Sequence, residues 1–176
     1  TVNDAPVAVD DTVSTNEDNA VTIQVLNNDS DVDGDSFALH SFTQGSHGSV
    51  TQQGGSLIYT PDANYHGSDS FTYVIRDPQG DEDTGRVSVT INTVNDAPVA
   101  VDDTVSTNED NAVTIQVLNN DSDVDGDSFA LHSFTQGSHG SVTQQGGSLI
   151  YTPDANYHGS DSFTYVIRDP QGDEDT

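Results

Sequence analysis

Phe71-Thr72-Tyr73-Val74-Ile75-Arg76-Asp77-Pro78-Gln79-Gly80, followed by Val87-Ser88-Val89-Thr90-Ile91, is the stretch on which the fold turns. Phe71, Tyr73 and Ile75 alternate with Thr72 and Val74, and Val87, Val89 and Ile91 alternate with Ser88 and Thr90. A side-chain period of two belongs to extended chain with one face buried. Between the runs, Asp77-Pro78-Gln79-Gly80 puts proline second and glycine fourth, as a β-turn prefers.

The pattern continues outward. Val21, Ile23 and Val25 alternate with Thr22 and Gln24, and shorter strand candidates lie at 7–14, 37–42, 49–52 and 56–60. Gln53-Gly54-Gly55-Ser56 is a tight hairpin connection, and no helical periodicity appears. About seven short strands in about 90 residues predict an antiparallel β-sandwich of immunoglobulin or cadherin type. Residues 93–176 repeat residues 1–84 without a substitution, an offset of 92. The expectation is therefore an all-β chain of two tandem sandwiches, residues 1–92 and 93–176, the second stopping before its final strand and leaving an apolar edge open. Exact repetition also points to length, spacing or multivalent attachment rather than catalysis.

Composition narrows the function further. Thirty acids against three arginines and no lysine give a net charge of −27. Residues 1–92 carry 15 acids with Arg76 and Arg86, and residues 93–176 carry 15 with Arg168 alone. Such a surface repels nucleic acid and anionic membrane faces, and its natural counterions are cations. Disorder is the competing account of so much charge, but the apolar residues fall in alternating runs with the acids clustered between them. Cysteine is absent, which removes disulfides and thiolate metal sites, and no segment is long and apolar enough for membrane insertion. No signal peptide or lipidation motif is present, so the chain reads as an interior fragment of something longer.

Seven strands, an odd number, bring the chain in at one end of a sandwich and out at the other, so identical units string into a rod. With strands lettered A to G, the A start and the B–C, D–E and F–G connections share the entry end; A–B, C–D and E–F share the exit end. The B–C loop holds Asn28-Asp29-Ser30-Asp31-Val32-Asp33-Gly34-Asp35, repeated at 120–127. Its D-x-D-x-D-G spacing matches the first half of an EF-hand loop, where oxygens converge on calcium from a sharply turned backbone. Position 12 is His40, not a bidentate Glu, and no helices flank the loop, so further oxygens must come from other connections.

At the entry end these are Asn3, Asp4, Asp77 in 77–83, and Asp11, brought near by pairing Val13 with Ile23. The entry-end candidates are thus Asn3, Asp4, Asp11, Asp29, Asp31, Asp33, Asp35 and Asp77, with Asn95, Asp96, Asp103, Asp121, Asp123, Asp125, Asp127 and Asp169 in the second copy. At the exit end they are Glu17, Asp18, Asp62 and Asp69, with Glu109 and Asp110 in the second copy. In tandem, the exit-end acids face Asn95, Asp96 and 121–127, so the junction is a candidate shared site. Like charges at about 4 Å cost roughly 1 to 4 kcal/mol per pair, which a bound ion converts to attraction. Many flexible oxygen ligands favour calcium over magnesium, and the missing cysteines and scattered histidines disfavour zinc.

Other readings carry less. His40, His47 and His66 sit singly on a strand and in turns. The acids are too many and too clustered for a glycosidase pair, and no nucleophile and base stand together, so an enzyme is not expected. Asn28-Asp29-Ser30 fits a glycosylation sequon but lies inside the proposed calcium loop. Tyr65 reads either as a tyrosine corner or as an ordinary aromatic plug.

Asn3-Asp4-Ala5-Pro6, Glu17-Asp18, Asp31-Val32-Asp33-Gly34-Asp35, Tyr59-Thr60-Pro61, Gly67-Ser68-Asp69-Ser70-Phe71-Thr72-Tyr73 and a valine-rich last strand together resemble the bacterial cadherin-like and Ig-like tandem repeats of giant RTX-type surface adhesins. The resemblance covers the whole repeat. It implies calcium-stiffened extender modules on the bacterial cell surface that hold a terminal adhesive region away from the cell, with neighbouring repeats and calcium ions as partners. It gives Asn95 and Asp96 the role of an interdomain linker. The alternative is that the repeat itself binds a glycan, a partner adhesin or a surface such as ice, with Tyr65 and His66 as the best candidates.

Overall fold

A computed structural model of the chain describes residues 2–176; Thr1, the first residue of the predicted first unit, lies outside the described residues. The chain divides into two compact units, Thr1–Val94 and Asn95–Thr176. In the first, seven strands form: β1 (Asp11–Asn16), β2 (Val21–Ile23), β3 (Ala38–Phe42), β4 (Gly48–Gln53), β5 (Ser56–Pro61), β6 (Gly67–Arg76) and β7 (Glu82–Asn92). Alternation sets what each buries. β6 turns Asp69, Phe71, Tyr73 and Ile75 inward, and β7 turns Gly85, Val87, Val89 and Ile91 inward.

Two sheets enclose this core, in the orders β1-β7-β6-β3 and β2-β5-β4. β6 and β7 are the antiparallel pair joined by the Pro-Gly turn, with Phe71 opposite Val87 and Tyr73 opposite Gly85. A Cβ on Gly85 would lie 2.4 Å from the Tyr73 ring, so the ring occupies the space any larger residue would need. Tyr59, Tyr73, Leu57, Ile75, Val87 and Val89 are fully buried. Each such aliphatic or aromatic side chain contributes about 1.5–3 kcal/mol.

The pairing of the first strand corrects the expectation that Val13 faces Ile23 as a strand neighbour. β1 pairs with β7, in parallel, with Asp11 opposite Val87, Val13 opposite Val89 and Thr15 opposite Ile91. The physical reason is edge coverage. The 11-residue β7 with its apolar inner face exposes a row of backbone groups on the edge away from β6; six-residue β1 covers it along 87–92, whereas three-residue β2 is already paired with β5.

The second unit has six strands: β8 (Val113–Ile115), β9 (Ala130–Phe134), β10 (Gly140–Gln145), β11 (Ser148–Pro153), β12 (Tyr165–Arg168) and β13 (Glu174–Asp175). They form the sheets β10-β11-β8 and β13-β12-β9. Only the two-residue β13 stands for the last strand, so the expected count of about seven becomes six here. Two further stretches change although their sequences do not. Residues 103–108, identical to β1, form no strand, and residues 159–164, identical to the first six residues of β6, form none. Both lack the partner that β7 provides, and the core cluster shrinks with them.

Candidate functional site

At the entry end of the first unit the loop 28–35 is shaped by its own carboxylates. Asp31 Oδ1 accepts the backbone N–H of Asp33 at 2.9 Å and of Asp35 at 3.3 Å, while Gly34 N–H donates to the Asp31 carbonyl. Gly34 has φ +79°, which is why glycine follows the third aspartate. The lead-in is clamped across this loop by a two-bond bridge between Val7 and Ser30, and Asp4 N–H donates to Asp33 Oδ2 at 2.8 Å. Asn3 Nδ2 donates to Asp77 Oδ2 and Asp81 Oδ2, both at 2.8 Å, and Gln79 Nε2 reaches Asp35 Oδ2. Lead-in, B–C loop and F–G turn therefore meet at one end, as strand topology predicts.

Asp77 is 4% exposed and accepts Gly80 and Asp81 N–H on Oδ1. The Asn3 amide, followed by these turn N–H groups, holds its carboxyl below the usual range. The second unit repeats the arrangement: Asn95 bonds Asp169 and Asp173, Asp96 N–H bonds Asp125, and Asp123 Oδ1 accepts Asp125 and Asp127 N–H. Asn95 depresses Asp169 as Asn3 depresses Asp77.

A second group of oxygens lies around the Tyr73 hydroxyl. Asp29 Oδ1 accepts Val9 N–H at 2.8 Å and Tyr73 O–H at 3.0 Å, and Asp11 Oδ1 accepts Asn28 Nδ2 at 3.1 Å. Burial, and then the Asp29 charge, push the Asp11 carboxyl up; burial and Asp29 likewise push Tyr73 up. In the second unit burial and Asp121 raise Asp103 in the same way. Asp11 thus reaches the loop as expected, but on a strand paired to β7 rather than to β2.

These carboxylates have oxygens to spare. Asp11 Oδ2, Asp29 Oδ2 and Asp31 Oδ2 are buried with no hydrogen-bond partner, and so is Asp123 Oδ2 in the second unit. An unpartnered buried polar atom costs about 1–3 kcal/mol, more when charged. Buried, unpaired, anionic oxygen is the donor set of a hard divalent cation, so the residues present fit calcium.

At the exit end the predicted residues separate into two kinds. Glu17 is 2% exposed; its Oε1 accepts Val94 N–H at 2.5 Å, and its buried, unpartnered Oε2 lies 3.9 Å from His66 Nδ1. Asp18, at φ +58°, accepts Asn64 N–H and ties the A–B turn to the E–F turn, as Asp110 does with Asn156. Asp62 is exposed, and Glu109 is exposed in the second unit.

Asp69 departs from the role expected for it. It is an inward position of β6 rather than a loop residue. Its two oxygens accept Ser46, His47 and Ser70 N–H and the Tyr59 hydroxyl at 2.8–3.0 Å, which fills the four lone-pair directions a carboxylate has. Burial raises its pKa, but the bonds together outweigh burial and lower it. Asp69 anchors the 43–48 turn and has no oxygen left for a metal. Asp161, the same residue in the second unit, is brought to about 2 by the same balance of burial against hydrogen bonds from His139, Ser138, Tyr151 and Ser162.

Tyr65 fits the aromatic plug rather than the tyrosine corner, whose hydroxyl would bond to backbone upstream. Its hydroxyl donates forward to the Ser68 carbonyl at 3.0 Å, and its half-buried ring packs on the core and stacks on His47 with centroids 4.1 Å apart. Three acids outside the candidate set also hold the entry end: Asp81 through Asn3 and Asp83 by accepting Ala8 N–H, both in the 77–83 connection expected there, and Asp10, which the sequence reading did not place, by accepting Arg86 N–H. The signal was available, because residues 2–10 bring a run of backbone N–H groups with few strand partners, and buried N–H groups must find acceptors nearby.

Comparison with known proteins places this architecture. The family model described as "Bacterial Ig domain" matches residues 3–90 and 95–176. The protein GAMETE EXPRESSED 2 of Arabidopsis thaliana is 41% identical over 75 residues, 43% of this chain, and the match spans 8% of that protein's length. Among solved structures, the human desmocollin-1 ectodomain aligns with 99% of this chain and 36% of its own at 14% identity and TM-score 0.48. Cadherin domains 1–5 of protocadherin gamma B2 align with 99% and 38% at 15% identity and TM-score 0.48. An endo-fucoidan hydrolase of glycoside hydrolase family 107 aligns with 97% and 27% at 20% identity and TM-score 0.42. None of these likenesses bears on ligand or activity.

Proposed function

We propose, starting from a chain that belongs to the bacterial Ig domain family, that its units are calcium-stiffened extender repeats of a large bacterial surface adhesin, working outside the cell. The observation that supports this most is the set of buried carboxylate oxygens without partners on Asp11, Asp29 and Asp31. They belong to the B–C loop and to the first strand, and Asp33, two residues after Asp31, holds Asp4 of the lead-in. A cation bound there would join the segment entering the unit to the loops that cap its sandwich. Such a joint would resist bending where the chain passes from one repeat to the next.

Partners on this reading are neighbouring repeats in the same chain and calcium ions. The acidic surface disfavours nucleic acid, and among the described residues no helix is long and apolar enough to cross a membrane. The role is mechanical rather than enzymatic. Extracellular modules hold calcium at about 10⁻⁴ to 10⁻³ M, so these sites would fill outside a cell and empty inside it. An ion at about 100 times its dissociation constant adds roughly 2.7 kcal/mol per site.

The test is calorimetry and small-angle scattering on the 176-residue protein with calcium or with a chelator. Chelation is expected to lower both melting transitions by many degrees and to change the radius of gyration. Identical melting in the two conditions would sink the calcium reading. Binding of a glycan by the repeat itself has less support, since one face of the Tyr65 ring is taken by His47.

A further inference from the structure

We propose that the free edge of β4 is a strand-pairing surface for a second copy of the same strand, and that the Gln44 side chain is the guard that keeps it closed. The sheet orders β1-β7-β6-β3 and β2-β5-β4 leave four strands of the first unit at an edge. An edge strand offers unpaired backbone groups to any extended segment, and proteins blunt it by shortness, charge, proline or a bulge. Three of the edges show such a device: β2 has three residues, β3 has a register break between Leu39 and Ser41, and β1 starts with Asp11. β4 shows none of these. Gly48-Ser49-Val50-Thr51-Gln52-Gln53 pairs with β5 in unbroken register and contains no charge and no proline, in a chain of 30 acids. Such an uncharged, uninterrupted strand is the kind of segment that pairs with copies of itself.

What this edge has instead is an amide. Val50 N–H donates to Gln44 Oε1 at 2.7 Å, and Gln44 Nε2 donates to the Val50 carbonyl at 3.0 Å. A carboxamide carries a donor and an acceptor side by side, as a peptide group does, so Gln44 makes with Val50 the pair of bonds that a neighbouring strand would make. Both Val50 groups therefore face away from β5, and by alternation those of Gly48 and Gln52 do too. Gln44 thus occupies the middle of three outward positions and leaves no run long enough for a second strand.

The turn before β4 fixes the guard in place. Thr43 N–H donates to the Thr72 carbonyl at 2.9 Å, and Ser46 and His47 N–H end on Asp69. Asp69 is thereby a positioning residue for the β4 edge, since it holds the turn from which Gln44 reaches. The second unit makes the same bonds: Gln136 with Val142 at 2.7 and 3.0 Å, Thr135 N–H on Thr164, and Ser138 and His139 N–H on Asp161. Charge and copy number select the occupant. A chain of net charge −27 repels an acidic strand, whereas β4 of another unit is uncharged and always present. Identical modules joined in one chain meet at effective concentrations of the order of 1 mM, so an unguarded edge would pair with its own kind. The guard keeps repeats separate whether or not they bind calcium.

The test is sedimentation velocity on the 176-residue protein, natural and with Gln44→Ala and Gln136→Ala together. The natural protein sets the baseline. The alanine variant is expected to self-associate reversibly and at least about tenfold more strongly, the factor that the freed hydrogen bonds convert to at their usual net strength. Adding Gln52→Pro and Gln144→Pro, at outward positions where proline removes no bond to β5, is expected to restore the baseline. In the natural protein, Val50 N–H is expected to exchange at least about tenfold more slowly than Gln52 N–H, since one is bonded to Gln44 and the other faces solvent. The proposal is overturned if the alanine variant associates no more than the natural protein. Association that survives the prolines also overturns it, since that would be aggregation from lost stability rather than pairing through β4. Equal exchange at Val50 and Gln52 would remove the guard itself, whether or not the variants fold.

Discussion

Residues 11–16 and 103–108 are the same six residues, yet the first form a β-strand with Val13 against the core and the second form none, with Val105 46% exposed. Their chemistry and local propensity are equal. What differs is the presence of Val87, Val89 and Ile91 beside them. Strand structure here is a property of the pair, not of the segment, as expected when β-propensity measures fit to a half-buried neighbour.

The largest consequence concerns the units themselves. Three buried aliphatic side chains at about 1.5–3 kcal/mol each, reduced for a compact unfolded state, give the first unit an advantage of about 5 kcal/mol. Scanning calorimetry is expected to resolve two transitions, and amide exchange at 104–108 to run at least about 100-fold faster than at 12–16. One cooperative transition with equal protection would remove the comparison altogether. Next in size is Val89→Asp, which buries a charge next to Asp69 and is expected to cost about 4 kcal/mol. It should merge the upper transition with the lower and free β1; survival of the upper transition would show that β7 is not what separates the units.

Asp69→Asn follows, at about 2 kcal/mol, since it weakens bonds to a charged acceptor and leaves an amide N–H₂ facing donors. The matching change at the more exposed Asp161 is expected to have a smaller effect. The pH dependence has a definite sign. Asp69 and Asp161 have folded pKa values depressed below about 3.9, so their contribution is present above that pH. It is lost as pH falls through the folded values, at about 2 for Asp161. Asp69→Asn should therefore flatten the acid limb of the upper transition below about pH 4.

The smallest effect is the most diagnostic of the cation. Asp11 and Asp103 are raised by burial and by a neighbouring carboxylate, so their ionised forms oppose folding, and this is relieved as pH falls through the folded value. Asp11→Asn is expected to stabilise the first unit by about 1 kcal/mol in chelator and to destabilise it by a similar amount in calcium. Asp103→Asn should act in the same sense in the second unit but less strongly, because Asp103 is exposed. A change of one sign in both conditions would exclude Asp11 from cation binding.

Much of this molecule was legible residue by residue. Alternation at 71–75 and 87–91 specified half-buried strands, the Asp77-Pro78 turn joined them, and an odd strand count sent the acidic loops to the ends where Asn3, Asp31, Asp33 and Asp77 now meet. Those features follow from local geometry, where a period of two and a turn residue carry their own stereochemistry. The parallel union of β1 with β7, the filling of Asp69 by a turn more than twenty residues upstream together with Tyr59 and Ser70, and the orphaned oxygens of Asp11 and Asp29 did not follow from pattern. Each depends on which distant backbone arrives beside a side chain, and a carboxylate looks the same in sequence whether its oxygens end up satisfied or bare. The two copies give the plainest case: identical letters at 11–16 and 103–108 take different structures because pairing energy resides between segments rather than within them.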